Sequence, residues 1–200
     1  MADQAPRWVG DQKPNLPPDI KRAADLPPLI TDKYVFFFGY EGSEPEVCFQ
    51  QWYPSPFSDP DSADPQSGDP IQFHTSEQYM MYMKAVLMDD EGAAEKILAA
   101  PGPGEAKALG RAVKSFDQEI WDANCDALVE TGNFLKFSQD KRLKGILLST
   151  GERELVEASP NDKVWGIGFA SESALENKDH WGQNKLGKAL MRVRDQLRSE

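Results

Sequence analysis

The sequence has few residues that form disulfides or bind metals. Among its 200 residues are two cysteines, Cys48 and Cys125, and two histidines, His74 and His180. Two cysteines do not build a disulfide framework, and the two histidines lack the spacing of a metal site. We therefore expect buried, reduced thiols and a reaction that needs neither a metal nor another cofactor.

Long hydrophobic runs are also absent. The longest aromatic and apolar run, residues 34–38, is much too short to cross a bilayer. The N-terminus has no basic segment followed by an apolar stretch, so the sequence predicts no secretory signal. A cytoplasmic protein without a membrane partner is expected, with the nucleus as the alternative location.

Positive charge is scarce. The chain has 33 acidic and 22 basic residues, which gives a net charge of −11. Proteins that bind long nucleic acids by neutralising many phosphates show the opposite sign. A phosphorylated substrate would have to meet a small local group of lysines and arginines. This favours a nucleotide, or an exposed end or single strand of nucleic acid, over a long tract.

Prolines divide the chain into two parts. Six of the fifteen prolines lie within residues 1–30, which show no helical or strand periodicity. This segment is predicted to be an extended or disordered arm, and residues 31–200 a single domain. Strands are predicted at residues 34–38 and near residues 47–53, and the residues 54–70, rich in Pro, Asp and Ser, are predicted to form a loop.

Helical signals dominate after that loop. Thr75 and Gln78 fit a capping box ahead of a helix that continues to Met88. The other predicted helices lie at residues 92–99, 104–113, 141–148 and 185–198, with a longer one capped by Ser115 and broken near Gly132. A short strand is expected at residues 155–159. The predicted fold class is mainly α with a few short β-strands (α+β), in one compact domain.

The first of these helices places two opposite charges on one face. Glu77 and Lys84 are seven residues apart, close to two helical turns, and their helix is apolar on most of its surface. Charges on a buried helix need a reason. One interpretation is a structural ion pair or a lysine that reaches solvent. The other is that burial lowers the pKa of Lys84 and leaves a neutral amine able to attack an electrophilic carbon.

Several motifs in order resemble the NADAR family, also called YbiA-like. Residues 75–85 read TSEQYMMYMKA and are similar to the SEHYMxxxKA helix of that family. The further matching segments are residues 109–111, Trp121, residues 133–137, 147–151, 155–168 and 181–191. Two positions depart from the pattern, because Gln78 replaces the usual His and residues 48–53 replace a Ser-Asn-Phe motif. The role of that His and base recognition by that motif are therefore not carried over.

The resemblance implies an N-glycosidase fold and activity. Known members hydrolyse either aminouracil ribosides of the riboflavin pathway or ADP-ribose attached to guanine. In the second group a lysine is proposed to form a Schiff base with the anomeric carbon, and Lys84 occupies that position here. The leading hypothesis is removal of ADP-ribose from guanine, as a free nucleotide or in nucleic acid. The alternatives are hydrolysis of aminouracil ribosyl phosphates and a non-catalytic ADP-ribose-binding module.

Cleavage of a ribose–base bond needs carboxylates and a proton donor. Positive charge develops at the anomeric carbon and negative charge on the leaving base. Glu77 is the first candidate because it shares the helix face of Lys84, and Glu157 and Asp162 are the others. Asp162 follows Pro160 and Asn161, where an Asp often bonds only to its own backbone, so a turn role remains open.

Aromatic and polar residues are candidates for binding the substrate. Trp121 and Trp165 are either core residues or stacking partners for a ring. The N-terminus of the last helix suits an anion, with Arg111, Lys136 and Lys185 as supplements. The predicted substrate-binding residues are Gly39, Tyr40, Trp52, Phe57, Arg111, Trp121, Trp165, Asn184 and Gly187.

Overall fold

A three-stranded sheet forms one part of the fold. The computed structural model describes residues 27–63 and 68–200, so most of the predicted arm lies outside the described residues. Strand β1 (Leu29–Ile30) pairs antiparallel with β2 (Tyr34–Phe37), and β2 pairs in parallel with β5 (Glu154–Glu157). The strands predicted at residues 34–38 and 155–159 are confirmed. Both faces of β2 are covered, because Val35 and Phe37 belong to one hydrophobic cluster and Phe36 to another.

The strand predicted near residues 47–53 is wrong. Pro45–Phe49 forms a 3-10 helix, with Pro45 in its first turn. Proline fixes φ at a value suited to the start of a helical turn. Three consecutive side chains, those of Val47, Cys48 and Phe49, are buried, which does not match the alternation of a half-buried strand.

The loop predicted at residues 54–70 is also wrong in part. Strand β3 (Phe57–Ala63) pairs antiparallel with β4 (Pro70–Phe73), and residues 64–67 lie outside the described part. The register shifts between Asp59 and Ala63, and Asp59 Oδ1 accepts a hydrogen bond from the Asp61 N–H at 3.0 Å. An irregular strand tolerates the proline between these residues, which cannot donate to a ladder.

Seven α-helices form the rest of the described fold, and they confirm the predicted class. Their bounds are α1 (Ser76–Leu87), α2 (Glu91–Leu98), α3 (Pro103–Arg111), α4 (Gln118–Gln139), α5 (Lys141–Ser149), α6 (Ser171–Ala174) and α7 (Lys185–Ser199). A second 3-10 helix, Leu175–His180, follows α6. None of the described helices is long and apolar enough to span a bilayer.

Helix α1 lies at the centre of the helical layer, against α2, α3 and α4. Thr75 Oγ1 accepts a hydrogen bond from the Gln78 N–H at 3.1 Å, as the cap predicts. The second hydrogen bond of a capping box is replaced, because Gln78 Oε1 accepts from the His74 N–H and not from the Thr75 N–H. Gln78 Nε2 donates to the carbonyls of Ile97 and Leu98. Gln78 therefore links α1 to the end of α2 by hydrogen bonds.

Helix α4 corrects two further predictions. Asp117, not Ser115, caps it, with Oδ1 accepting from the Ile120 N–H at 3.0 Å. The helix continues through Gly132 without a break. A Cβ placed at Gly132 would lie 2.5 Å from Cδ1 of Tyr79 on α1. This glycine therefore permits close packing of two helices and does not interrupt one.

Candidate active site

Two buried glutamates define the candidate site. Glu157 is the last residue of β5, and Glu77 lies in the first turn of α1. Their exposed fractions are 7% and 2%. The segment Gln50–Gln51–Trp52 lies between them, because the Gln51 carbonyl accepts a hydrogen bond from the Glu77 N–H at 3.0 Å and the Gln50 side chain acts on Glu157.

The cation beside Glu77 is Lys107 on α3. Its Nζ lies 3.6 Å from Glu77 Oε1 and 5.7 Å from the centroid of the Trp52 ring. Burial raises the pKa of Glu77, while the charge and hydrogen bonding of Lys107, hydrogen bonding by Trp52 and the charge of Arg111 oppose that rise. Glu77 is thus a carboxyl whose ionised form has cationic neighbours.

Glu157 has a different environment. Burial, together with the nearby charges of Asp162 and Glu77, raises its pKa to about 8, although the Gln50 side chain and the charge of Lys107 oppose that rise. Its backbone N–H donates to Asn184 Oδ1 at 3.0 Å, which fixes the end of β5. Glu157 therefore holds its proton at neutral pH and can act as a proton donor.

Asp162 has the turn role that the sequence left open. Its Oδ1 accepts the N–H groups of Val164 and Trp165, each at 2.8 Å. Its charge nevertheless contributes to the raised pKa of Glu157, so it lies on the edge of the same site. Trp165 is half-buried, with Lys185 Nζ 5.8 Å from a ring centroid.

Lys84 is half-buried between two aromatic rings. Its Nζ lies 4.2 Å from the centroid of Phe116 and 5.5 Å from that of Trp121. Burial and the nearby Arg111 lower its pKa, as the nucleophile hypothesis requires. Lys84 and Glu77 do not form an ion pair in the described structure, since the cation beside Glu77 is Lys107. The charge of Arg111 acts on both groups, so Arg111 lies near both of them.

An aromatic pair lines the other side of Glu77. The ring centroids of Tyr40 and Trp52 are 5.5 Å apart, and Tyr40 follows Gly39, which has a φ of +84° at the end of β2. This left-handed conformation favours glycine. Trp52 also packs near Gly104, where a Cβ would lie 3.6 Å from its ring. Gly39, Tyr40 and Trp52 are therefore brought to one edge of the site.

Several predicted substrate-binding residues are instead part of the core. Phe57 is 2% exposed and packs with Phe73 and Tyr79 in a separate cluster. Asn184 directs both ends of its amide to β5, at Glu157 N and Leu155 O. Gly187 permits α7 to approach that strand, because a Cβ there would lie 2.1 Å from the Leu155 carbonyl oxygen.

The predicted phosphate contacts of two lysines do not match their positions. Lys136 is 1% exposed, so it is not available at the surface. Lys185 Nζ lies 2.9 Å from Asp126 Oδ1, so its charge is already paired. Arg111 is exposed and stays a candidate.

The sequence did not single out Lys107, Gln50 or Phe116. The one usable signal for Lys107 is its spacing of four residues from Arg111, which puts both on one face of α3. Its contact with Glu77 joins two separate helices, and no local pattern encodes it. Phe116 follows Ser115, whose φ of +52° ends the preceding turn.

An open cleft at the opposite end of the parallel strands is lined by charged residues that include Asp32, Lys33, Glu152 and Glu154. It lies at the start of β2 and β5, whereas Glu157 lies at the end of β5. Within the described ranges, no group of three His, Cys, Asp or Glu side chains is arranged to hold a metal.

Known proteins resemble this chain along most of its length. Residues 36–198 match the family model of the NADAR domain. The N-glycosidase R617 of Acanthamoeba polyphaga mimivirus is 42% identical over 173 residues, which cover 84% of this chain and 98% of that protein. A riboflavin biosynthesis protein of Vibrio vulnificus is 35% identical over 119 residues, 58% of this chain but only 29% of its own length.

A solved structure supports the fold. The NMR structure of the Escherichia coli protein YbiA aligns with a TM-score of 0.65 and 25% sequence identity, covering 88% of this chain and 92% of that one.

Proposed function

The chain belongs to the NADAR domain family, and from this we propose that it is an N-glycosidase, a hydrolase that cleaves the bond between a ribose and a base. We propose further that the substrate is ADP-ribose attached to guanine, with Lys84 as nucleophile. Relatives that carry the name N-glycosidase support the general activity. The finer assignment rests on the motif resemblance and on the chemistry of the site.

The observation that carries the proposal is the pair of buried carboxyls with opposed surroundings. Glu157 has anionic neighbours and a pKa raised by burial to about 8, whereas Glu77 has Lys107 at 3.6 Å. Two carboxyls whose charged neighbours favour different protonation states can divide acid and base roles. In our proposal Glu157 protonates the leaving base and Glu77 accepts protons and stabilises positive charge at the sugar.

Lys84 would form the covalent intermediate. Its neutral amine attacks the anomeric carbon, the carbon–nitrogen bond to the base breaks, and the base leaves with the proton from Glu157. Opening of the ribose ring gives an imine, and one water molecule then hydrolyses it, releasing the sugar and restoring Lys84. Arg111 acts on both Lys84 and Glu77, which supports placing the two groups in one site.

Trapping with borohydride tests the lysine step. We expect borohydride, added during turnover of ADP-ribosylated guanosine, to leave one sugar-derived mass on Lys84, located by peptide mapping. Lys84→Ala should lower kcat by about 10³-fold or more with an unchanged melting temperature. Lys84→Arg is the matched control, because it keeps length and charge but cannot supply a neutral amine. Turnover without any trapped adduct, or an active Lys84→Arg, would refute the imine mechanism.

A second substrate is favoured by one observation, the similarity to the riboflavin biosynthesis protein of Vibrio vulnificus. An aminouracil ribosyl phosphate should therefore be assayed beside ADP-ribosylated guanosine under the same conditions. We expect a higher kcat/KM for ADP-ribosylated guanosine, since Tyr40 and Trp52 offer a ring-stacking surface that a small monophosphate does not need. The reverse order would transfer the proposal to the aminouracil substrate, and binding without cleavage of either would indicate a non-catalytic module.

A further inference from the structure

Lys136 is a buried lysine that the proposed mechanism does not use. It is 1% exposed, and its Nζ donates a hydrogen bond to the Gln50 carbonyl oxygen at 3.0 Å. Aromatic rings flank it, with the centroids of Tyr53 and Phe137 at 5.6 Å and 5.1 Å. Within the described chain, no carboxylate lies within 4 Å of this ammonium.

The surroundings of Lys136 make this charge costly. Burial lowers its pKa to about 8, so it is still mostly charged at neutral pH. Cys48 is the neighbouring titratable group, and burial raises the pKa of its thiol to about 11, which leaves it neutral and unable to balance the ammonium. A buried, unpaired charge reduces stability, and an apolar side chain of similar size would cost less. Stability alone therefore does not explain a lysine here.

The Gln50 carbonyl that Lys136 binds belongs to the segment between Glu77 and Glu157. Asn133, one turn earlier on α4, donates from Nδ2 to Gln51 Oε1 at 3.0 Å. The Gln51 carbonyl in turn accepts from the Glu77 N–H at 3.0 Å. One face of α4 thus holds both glutamines of the segment that separates the two carboxyls. The side chains of this segment reach both carboxyls, because Gln50 acts on Glu157 and Trp52 acts on Glu77.

We propose that Lys136 is a positioning residue for the glycosidase site, which holds the Gln50 carbonyl so that Gln50 and Trp52 keep their places beside Glu157 and Glu77. This inference rests on the proposed function for its effect on turnover. The structural part, that Lys136 holds the Gln50 carbonyl in place, does not rest on the proposed function, since the geometry of the Gln50 segment can be measured without a substrate.

The experiment compares Lys136→Met with Lys136→Arg. Lys136→Met keeps the volume, removes the donor and should melt at the same or a higher temperature. Its kcat should nevertheless fall about 10- to 100-fold, with KM within about threefold, because displaced reacting groups lower the rate of the chemical step. Lys136→Arg keeps N–H donors and should retain more activity although it is the less stable variant. Activity that follows stability across the two variants would overturn the proposal.

A carbon-13 titration of the Glu157 carboxyl gives a readout that does not depend on turnover. Glutamate is labelled, and Glu157→Gln identifies the resonance. The Gln50 side chain opposes the raised pKa of Glu157, and Lys136 is not among the five largest influences on that carboxyl. Loosening Gln50 should therefore move the Glu157 titration to a higher pH in Lys136→Met. An unchanged titration together with a kcat within twofold of the parent would refute the positioning role.

Leu197→Ala serves as the control for lost stability. Leu197 is 2% exposed in the last turn of α7, outside the candidate site. This variant should lower the melting temperature and leave both kcat and the Glu157 titration unchanged. If the parent protein shows no glycosidase turnover, the proposed function fails, and the titration still decides whether Lys136 positions Gln50.

Discussion

Burial of the Glu157 carboxyl lowers the stability of the protein, and the position of Glu157 in the fold explains why it is buried. Its backbone must be buried because β5 lies beside β2 and α7, and Asn184 fixes its N–H. The side chain is therefore held away from water and close to Asp162. Such a group is retained against its cost to stability where a raised pKa is needed for proton transfer.

The pH dependence of stability should reveal this cost. The folded-state pKa, about 8, lies above the ordinary value of 4.5. Between those values the unfolded chain has released a proton that the native state retains, so stability is highest at low pH and falls as pH rises toward 8. Glu157→Gln should remove this slope and stabilise the protein by roughly 3 kcal/mol at pH 7. Urea unfolding from pH 5 to pH 9 measures it.

In Glu157→Gln, kcat should fall although the stability of the protein rises. Glu157→Gln cannot donate a proton to the leaving base, and loss of a general acid lowers kcat by roughly 10²–10⁴-fold. In the parent, kcat should decline as pH rises through 8. Glu95→Gln, at an exposed position on α2, is the control and should alter neither measurement. Equal pH slopes for the parent and Glu157→Gln would contradict the raised pKa.

Among the helices and strands, sequence patterns predicted those elements whose conformation depends on residues nearby in the chain. The Thr75 cap, the helices α1, α2, α3, α5 and α7 and the strand at residues 34–38 depend on nearby residues, and the sequence identified them. Helix α6 was not predicted. The β3–β4 hairpin and the 3-10 helix Pro45–Phe49 depend on burial against distant segments. Proline and aspartate indicated a loop at residues 54–70, and a strand was predicted near residues 47–53, but tertiary contacts overrode both local preferences.

The candidate site also contains some residues that local spacing predicts and others that it does not. Glu77 and Lys84 share a helix, so their spacing alone predicts that they lie on one face of it. Lys107 and Gln50 reach Glu77 and Glu157 from elements far apart in the chain, which periodicity within one segment cannot predict. Asn184 and Gly187, which the sequence predicted to bind substrate, are instead hydrogen-bonding and packing residues of the scaffold beside β5.

Packing between α1 and α4 gives a prediction at this scale. Gly132→Ala would bring a Cβ within 2.5 Å of the buried Tyr79 ring, which Phe57 and Phe73 hold in place. We expect a loss of about 1–3 kcal/mol, despite the higher helix propensity of alanine. Gly145→Ala on α5 is the matched control, because nothing lies within 4 Å of its Cβ position. It should stabilise by about 0.5–1 kcal/mol, and equal effects in urea unfolding would refute the close contact.

At the scale of the whole molecule, the charge is strongly uneven. The net charge is −11, yet Lys107 and Arg111 lie one turn apart on α3 beside the candidate site. A cationic patch of this size can contact the phosphates of one nucleotide. A long nucleic acid would also meet the rest of a protein whose net charge is −11, which repels it. A cytoplasmic location and a nucleotide partner remain predictions from the sequence.

This unevenness predicts a preference for small substrates. ADP-ribosylated guanosine should show a lower KM than the same modified base inside a long DNA strand at low salt. Raising the salt concentration should narrow the difference, because screening weakens the repulsion between the DNA and the acidic surface. A modified base at a strand end should lie between the two. A protein that binds by neutralising many phosphates behaves in the opposite way, since its affinity for the long strand falls steeply as salt rises. Such a fall would show that an extended nucleic-acid surface exists, and the charge argument for a nucleotide-sized substrate would then be wrong.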